Sequence, residues 1–95
     1  MVVTELKKTC ESCPAQWEGR LVNGRMVYIR YRFGYLSIRI SKEQTKNIID
    51  AVKGEEVFGV DYGDDLGGTI SFETLKNLTK KVLNFDMVKE IKCNL

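Results

Sequence analysis

Residues Arg25 to Ser41 read RMVYIRYRFGYLSIRIS, and apolar and polar side chains alternate along this stretch on both sides of Phe33-Gly34. Such alternation is typical of β-strands that bury one face. The stretch therefore predicts a β-hairpin that turns at Phe33-Gly34. In this register the core face carries the apolar pairs Val27 with Ile40, Ile29 with Ile38, and Tyr31 with Leu36.

The opposite face of the predicted hairpin is basic and aromatic, and we name it the tyrosine–arginine face. It consists of Tyr28, Arg30, Arg32, Tyr35 and Arg39. Rings and guanidinium groups on neighbouring strands lie close enough to contact one another. They can stack on bases and pair with phosphates or carboxylates, which makes this face the candidate binding site. The plainer alternative is that an exposed sheet face carries tyrosine and arginine because both are soluble and favour strands.

A second turn precedes this hairpin at Asn23-Gly24, which is a strong short-range turn signal. A two-residue loop there would place charged side chains on the apolar face. A three-residue loop, Val22 to Gly24, instead aligns Trp17 with Ile29. We therefore expect the longer loop and a three-stranded antiparallel meander with Trp17 in its core.

Two helices are predicted beyond the meander. Ser41-Lys42-Glu43-Gln44 matches a capping box, in which serine and glutamine side chains bond the first amides of a helix, and Gly54 would end that helix. Ser71 is a predicted N-cap, so that a second helix begins at Phe72. The expected apolar stripes are Thr45, Ile48, Ile49 and Val52 on the first helix, and Phe72, Leu75, Leu78, Val82 and Leu83 on the second.

The remaining segments leave alternatives open. Residues 57–60 read as a short extended segment and provide for one extra strand. Met1 to Thr9 is compatible with a strand, a helical turn or a frayed end, and residues 86–95 with a helix or a strand. We expect one α+β domain over residues 1–95, an antiparallel three-stranded meander packed by two helices. Residues 1–12 and 86–95 are the candidates for peripheral segments.

Composition excludes several classes of function. The chain has no histidine, which excludes Ser-His-Asp and Cys-His catalytic systems and every metal site built on histidine. No apolar run approaches the roughly 18 residues needed to span a bilayer, and the N-terminus lacks the apolar core of a secretory signal. We therefore expect a cytoplasmic protein with no membrane partner. The net charge is +2, but residues 1–41 carry +4 and residues 42–95 carry −2.

Cys10, Cys13 and Cys93 are the candidate ligands for a metal or redox centre. A zinc site requires four ligands, and neither a histidine nor a fourth cysteine completes this set. No βαβ pattern surrounds the Cys-x-x-Cys pair, as it would in a thioredoxin-like protein. We expect ordinary thiols in a reducing compartment, and no cofactor.

Several motifs resemble those of a group of short bacterial hypothetical proteins. They are CPxQWEG at residues 13–19, VYIRYRFGxLSIR at residues 27–39, GEEVF at residues 54–58 and GDDL at residues 63–66. The likeness spans roughly residues 13–80. The group has no assigned activity, so the resemblance implies no catalytic residue and no cofactor.

These observations lead to three hypotheses for function. The first is a small, non-enzymatic binding module whose tyrosine–arginine face contacts an anionic partner, either protein or nucleic acid. Because the net charge is close to neutral, we favour a protein partner or self-association over nucleic acid. The second is a structural or self-associating homo-oligomeric protein, and the third is a cysteine-based metal or redox protein.

Overall fold

A six-stranded sheet with two short helices forms the structure, a computed structural model that describes residues 1–10, 15–63 and 69–93. In chain order the elements are β1 (Val3–Cys10), β2 (Ala15–Leu21), β3 (Met26–Arg32), β4 (Tyr35–Ile40), α1 (Ile49–Val52), β5 (Glu55–Asp61), α2 (Phe72–Thr79) and β6 (Ile91–Cys93). The strand order across the sheet is β5-β4-β3-β2-β1-β6. Neighbouring strands are antiparallel except β1 and β6, which are parallel, so the sheet is mixed.

The hairpin of β3 and β4 confirms the predicted register. Val27 pairs with Ile40, Ile29 with Ile38, and Tyr31 with Leu36. The turn residues Phe33 and Gly34 have φ angles of 54° and 75°. Positive φ at both positions is what a two-residue hairpin of type I′ requires, and the twist of such a turn matches that of the strands.

The loop between β2 and β3 is also the predicted one. Trp17 pairs with Ile29, and the Gly24 amide donates to the Leu21 carbonyl at 2.9 Å. Gly24 has a φ of 87°, a left-handed conformation that glycine adopts without steric cost. The meander of β2, β3 and β4 therefore forms as the sequence predicts.

The expected fold class is nevertheless wrong, because the meander is only the centre of the sheet. β1 pairs with β2 and also with β6, and β5 pairs with β4. Val3–Cys10 is thus an interior strand and not a peripheral segment, and Ile91–Cys93 is an edge strand. Irregularities in the pairing of β1, between Val3 and Glu5 and between Lys8 and Cys10, interrupt its alternation. A bulged strand loses the period-two pattern by which sequence analysis detects strands.

The predicted start and length of the first helix are also wrong, since α1 is a single turn that begins eight residues after Ser41. Ser41 is fully buried and does not cap it. Its hydroxyl accepts from the Met26 amide at 2.9 Å and donates to the Glu43 carbonyl at 2.8 Å. The hydrogen bond to β3 occupies the oxygen that a capping box would need. Gly54 serves close packing, because a Cβ there would lie 2.1 Å from the Ile40 carbonyl oxygen.

The second helix begins where predicted and ends early. The Ser71 hydroxyl accepts from the Thr74 amide at 3.1 Å, which is the expected N-cap bond. α2 stops at Thr79, so Val82 and Leu83 lie beyond it, although Leu83 is buried. The apolar stripe predicted for this helix is therefore longer than α2, and Leu83 packs into the core from beyond the end of the helix.

One face of the sheet carries the hydrophobic core. Trp17, Ile29, Leu36 and Ile38 on the strands are almost completely buried. From the C-terminal part of the chain, Ile70, Leu75, Leu83 and Phe85 complete the same cluster. The sheet thus has a single covering layer over this face, and the tyrosine–arginine face lies on the other side. In the described part of the chain, no helix has the length and apolar character needed to cross a membrane.

Candidate functional site: the open face of the sheet

The tyrosine–arginine face is assembled by the register of β3 and β4. Tyr28 lies opposite Arg39, and Arg32 lies opposite Tyr35, with Arg30 between them on β3. Arg32 and Tyr35 are exposed, whereas Tyr28, Arg30 and Arg39 are half-buried. The structure therefore brings all five candidate residues together on the face that α2 leaves open.

Hydrogen bonds hold both tyrosines of this face in place. The Tyr28 hydroxyl donates to Gln16 Oε1 at 2.8 Å, and the Tyr35 hydroxyl donates to Glu56 Oε2 at 2.8 Å. Burial raises the pKa of Tyr28 above its ordinary value, and Arg30 acts in the opposite direction. The hydrogen bond to Glu56 raises the pKa of Tyr35, because it favours the protonated phenol. Both rings are thus oriented neutral groups at physiological pH.

A glycine on β5 makes room for Tyr35. A Cβ at Gly59 would lie 1.9 Å from the Tyr35 hydroxyl oxygen. Because real Cβ atoms do not approach so closely, any larger residue would displace the ring. Gly59 is thus part of the site, although the sequence pattern alone marks it only as a small residue in a short strand.

The three arginines of the face have different surroundings. Arg39 donates to the Gly54 carbonyl at 2.8 Å and so holds the start of β5. The Arg32 guanidinium lies 4.7 Å from the centre of the Phe33 ring, a cation–π contact at the turn. Within residues 1–10, 15–63 and 69–93, neither Arg30 nor Arg32 forms an ion pair with a carboxylate. These two guanidinium groups therefore keep their capacity to bind an anion.

One end of the open face is covered by the chain that follows β4. Met26 points to the same side as Tyr28 yet is only 9% exposed, and Ala51 of α1 is completely buried. Arg20 donates to the Thr45 carbonyl at 3.4 Å, which holds this segment over the sheet. The accessible surface therefore runs from Tyr28 towards the turn and across β2 and β1.

Neighbouring strands add carboxylates that the hairpin alone did not predict. Glu18 lies opposite Tyr28, Asp61 opposite Tyr35, and Glu56 opposite Arg39. The Glu18 position follows from the predicted meander register, whereas those of Glu56 and Asp61 depend on the pairing of β5 with β4. The open face consequently has mixed charge.

The structure places Cys10, one of the three cysteines of the metal or redox hypothesis, on a strand. Cys10 ends β1 and pairs in register with Gln16, so it lies on a strand. Cys13 and the side chain of Cys93 lie outside the described residues. Among the residues that are described, no three cysteines, aspartates or glutamates cluster closely enough to hold a metal ion. The geometry of a site formed by all three cysteines stays a prediction.

Comparison of the chain with protein-family models, with curated protein sequences and with solved structures finds no match.

Proposed function

We propose that the protein is a small, non-enzymatic binding module and that its tyrosine–arginine face contacts an acidic segment of a partner protein. The observation that supports the proposal is the pair Arg30 and Arg32, which lie two residues apart on β3 without a carboxylate partner in the described chain. Arginine binds carboxylates through a planar, two-pronged set of donors.

The two tyrosines strengthen this proposal. Tyrosine and arginine are enriched among the residues that dominate protein interfaces, because each provides a large contact area together with a polar group. Tyr28 and Tyr35 are already oriented by Gln16 and Glu56, so binding would immobilise few additional bonds. A pre-oriented face of this kind favours recognition of a defined partner surface.

The carboxylates on the open face favour a protein over nucleic acid as the partner. Glu18, Glu56 and Asp61 lie opposite residues of the tyrosine–arginine face. A phosphate backbone that ran along the sheet would approach these negative groups, whereas a protein segment can place its own acids at Arg30 and Arg32 and neutral groups elsewhere. We also propose the cytoplasm as the location, because three cysteines leave one unpaired in any intramolecular disulfide scheme.

The test is a binding titration with two fluorescent probes. One probe is a short peptide with glutamate at alternate positions, and the other is a single-stranded oligonucleotide. The wild-type protein should bind the peptide at low ionic strength. The double variant R30A/R32A should lose about tenfold or more in affinity, as expected when arginine contacts worth about 1.4 kcal/mol or more are removed.

A control of equal charge separates this contact from general electrostatic attraction. Lys80 and Lys81 follow α2 on the opposite side of the sheet and are exposed, so K80A/K81A removes the same charge elsewhere. That variant should bind the peptide like the wild type. Failure to bind the peptide at low salt, or an equal loss in both variants, would refute the proposal. Oligonucleotide binding that is tighter and falls steeply with salt would identify nucleic acid instead.

A further inference from the structure

A cleft of about 570 Å³ opens on the same face of the sheet, on the strands farthest from Tyr35. β1, β2 and β6 form its floor, and Lys46 and the segment from Met87 to Glu90 contribute to its walls. Its volume is within the range of small-molecule sites. The charged residues that line it are the bases Lys7, Arg20, Lys46, Lys89 and Lys92 and the acids Glu5, Glu18 and Glu90.

The register of the strands places the charged groups of the floor on one side. Lys7 pairs with Glu18 on β2 and with Lys92 on β6, and Glu18 in turn pairs with Tyr28. Directly paired residues of adjacent strands point to the same face. Lys7 and Lys92 therefore project side by side into the cleft, although like charges on adjacent strands repel each other. Glu18 adjoins Lys7 from the other strand, so an anion bound between Lys7 and Lys92 would reduce the repulsion that remains.

Arg20 is already engaged within the protein. Its Nε lies 3.8 Å from Glu5 Oε2, and its Nη1 donates to the Thr45 carbonyl at 3.4 Å. The bases that remain are four lysines, none of which forms an ion pair within the described part of the chain. A lysine ammonium is a compact point charge that binds phosphate, whereas the planar arginine fork binds carboxylate and phosphate alike. The cleft thus has the charge of a phosphate site.

Glu18, one of the acids that line the cleft, defines the second feature of the ligand. Glu18 is half-buried and adjoins Lys7 across the strands. An ionised carboxylate can only accept hydrogen bonds, so it pairs with a hydroxyl group and repels phosphate, which places the phosphate on the other side of Lys7, beside Lys92. Met26 and Met87 provide apolar surface beside these charges. We infer that the cleft binds a small phosphorylated molecule with free hydroxyl groups, of the sugar-phosphate class, with its phosphate at Lys7 and Lys92 and a hydroxyl at Glu18.

This site uses residues other than the tyrosine–arginine face, so it stands independently of the proposed function. Calorimetric titrations with ribose 5-phosphate, inorganic phosphate and ribose test it. Ribose 5-phosphate should bind most tightly, inorganic phosphate more weakly, and ribose not detectably. The variant K7A/K92A should weaken ribose 5-phosphate binding about tenfold or more, whereas K80A/K81A and R30A/R32A should leave it unchanged.

The variant E18Q distinguishes a specific site from a general attraction of anions. It should weaken the binding of ribose 5-phosphate but not of inorganic phosphate, because only the sugar hydroxyl contacts the carboxylate. Circular dichroism verifies that each variant is folded. K46A provides a second lysine variant, at an exposed position in the wall of the cleft, and it should also weaken the binding of ribose 5-phosphate. Absence of ribose 5-phosphate binding by the wild type, or an equal loss in K80A/K81A, would overturn the inference.

Discussion

Replacement of the buried hydroxyl of Ser41 is the sharpest test of the structure. Its oxygen accepts from the Met26 amide at 2.9 Å and donates to the Glu43 carbonyl at 2.8 Å. Glu43 is exposed, so water can replace the hydroxyl at its carbonyl, but Met26 is buried and its amide would have no partner. An unsatisfied buried donor costs about 1–3 kcal/mol. S41A should therefore lower the free energy of unfolding by that amount.

The expected magnitude is measurable by urea titration or thermal melting. Each kcal/mol corresponds to a fall in Tm of about 4–8 °C for a domain of this size. S41G should cost at least as much as S41A, because glycine also lacks the hydroxyl and adds chain entropy to the unfolded state. Q44A should change stability by less than about 0.5 kcal/mol, because Gln44 is exposed.

A capping box at Ser41 predicts the opposite order. Glycine replaces an N-cap serine with a loss of only a few tenths of a kcal/mol, whereas alanine costs about 1 kcal/mol. Ser71 is an N-cap in the structure and serves as the internal control. S71G should therefore lower the free energy of unfolding by less than S71A does. A smaller loss of unfolding free energy in S41G than in S41A, together with a loss in Q44A as large as that in S41A, would refute the assigned role of Ser41.

Three further predictions concern the turn and the tyrosines. F33N should stabilise the protein by about 0.5–1 kcal/mol in urea titrations, because Phe33 is 63% exposed with a φ of 54°, and asparagine adopts that conformation more readily. The left-handed conformation costs about 1–2 kcal/mol, which exceeds the roughly 0.5–1 kcal/mol lost with the exposed contact between Arg32 and the Phe33 ring. G59A should displace Tyr35 from Glu56, so that the ultraviolet titration of Tyr35 shifts towards its ordinary pKa; an unchanged curve would contradict the contact. Because the pKa values of Tyr28 and Tyr35 are raised on folding, their contribution to stability should be complete below about pH 10 and be lost as the pH rises through the folded-state values. Y28F should lose less stability than the wild type in urea titrations above that pH.

The candidate site could be predicted in part because it depends on short-range order. Alternation along β3 and β4 is sufficient to place Tyr28, Arg30 and Arg32 on one face, and the turn at Phe33-Gly34 brings Tyr35 beside them. The sequence analysis did not predict the partners that orient the tyrosines, Gln16 and Glu56. Glu56 reaches Tyr35 only because β5 returns along β4, and no pattern in β5 specifies the edge at which it pairs.

Local signals in the sequence are sufficient for the meander and for the start of α2, since both depend on residues that are close in the chain. The full sheet also requires pairing between strands that are far apart in the sequence, such as β1 and β6. β6 is three residues long and pairs in parallel with β1, which is itself bulged, so neither carries a detectable period. Ser41 illustrates the same principle, because its hydroxyl can cap a helix or bond to β3. The hairpin brings the Met26 amide within reach, and satisfying that buried donor prevails over local capping.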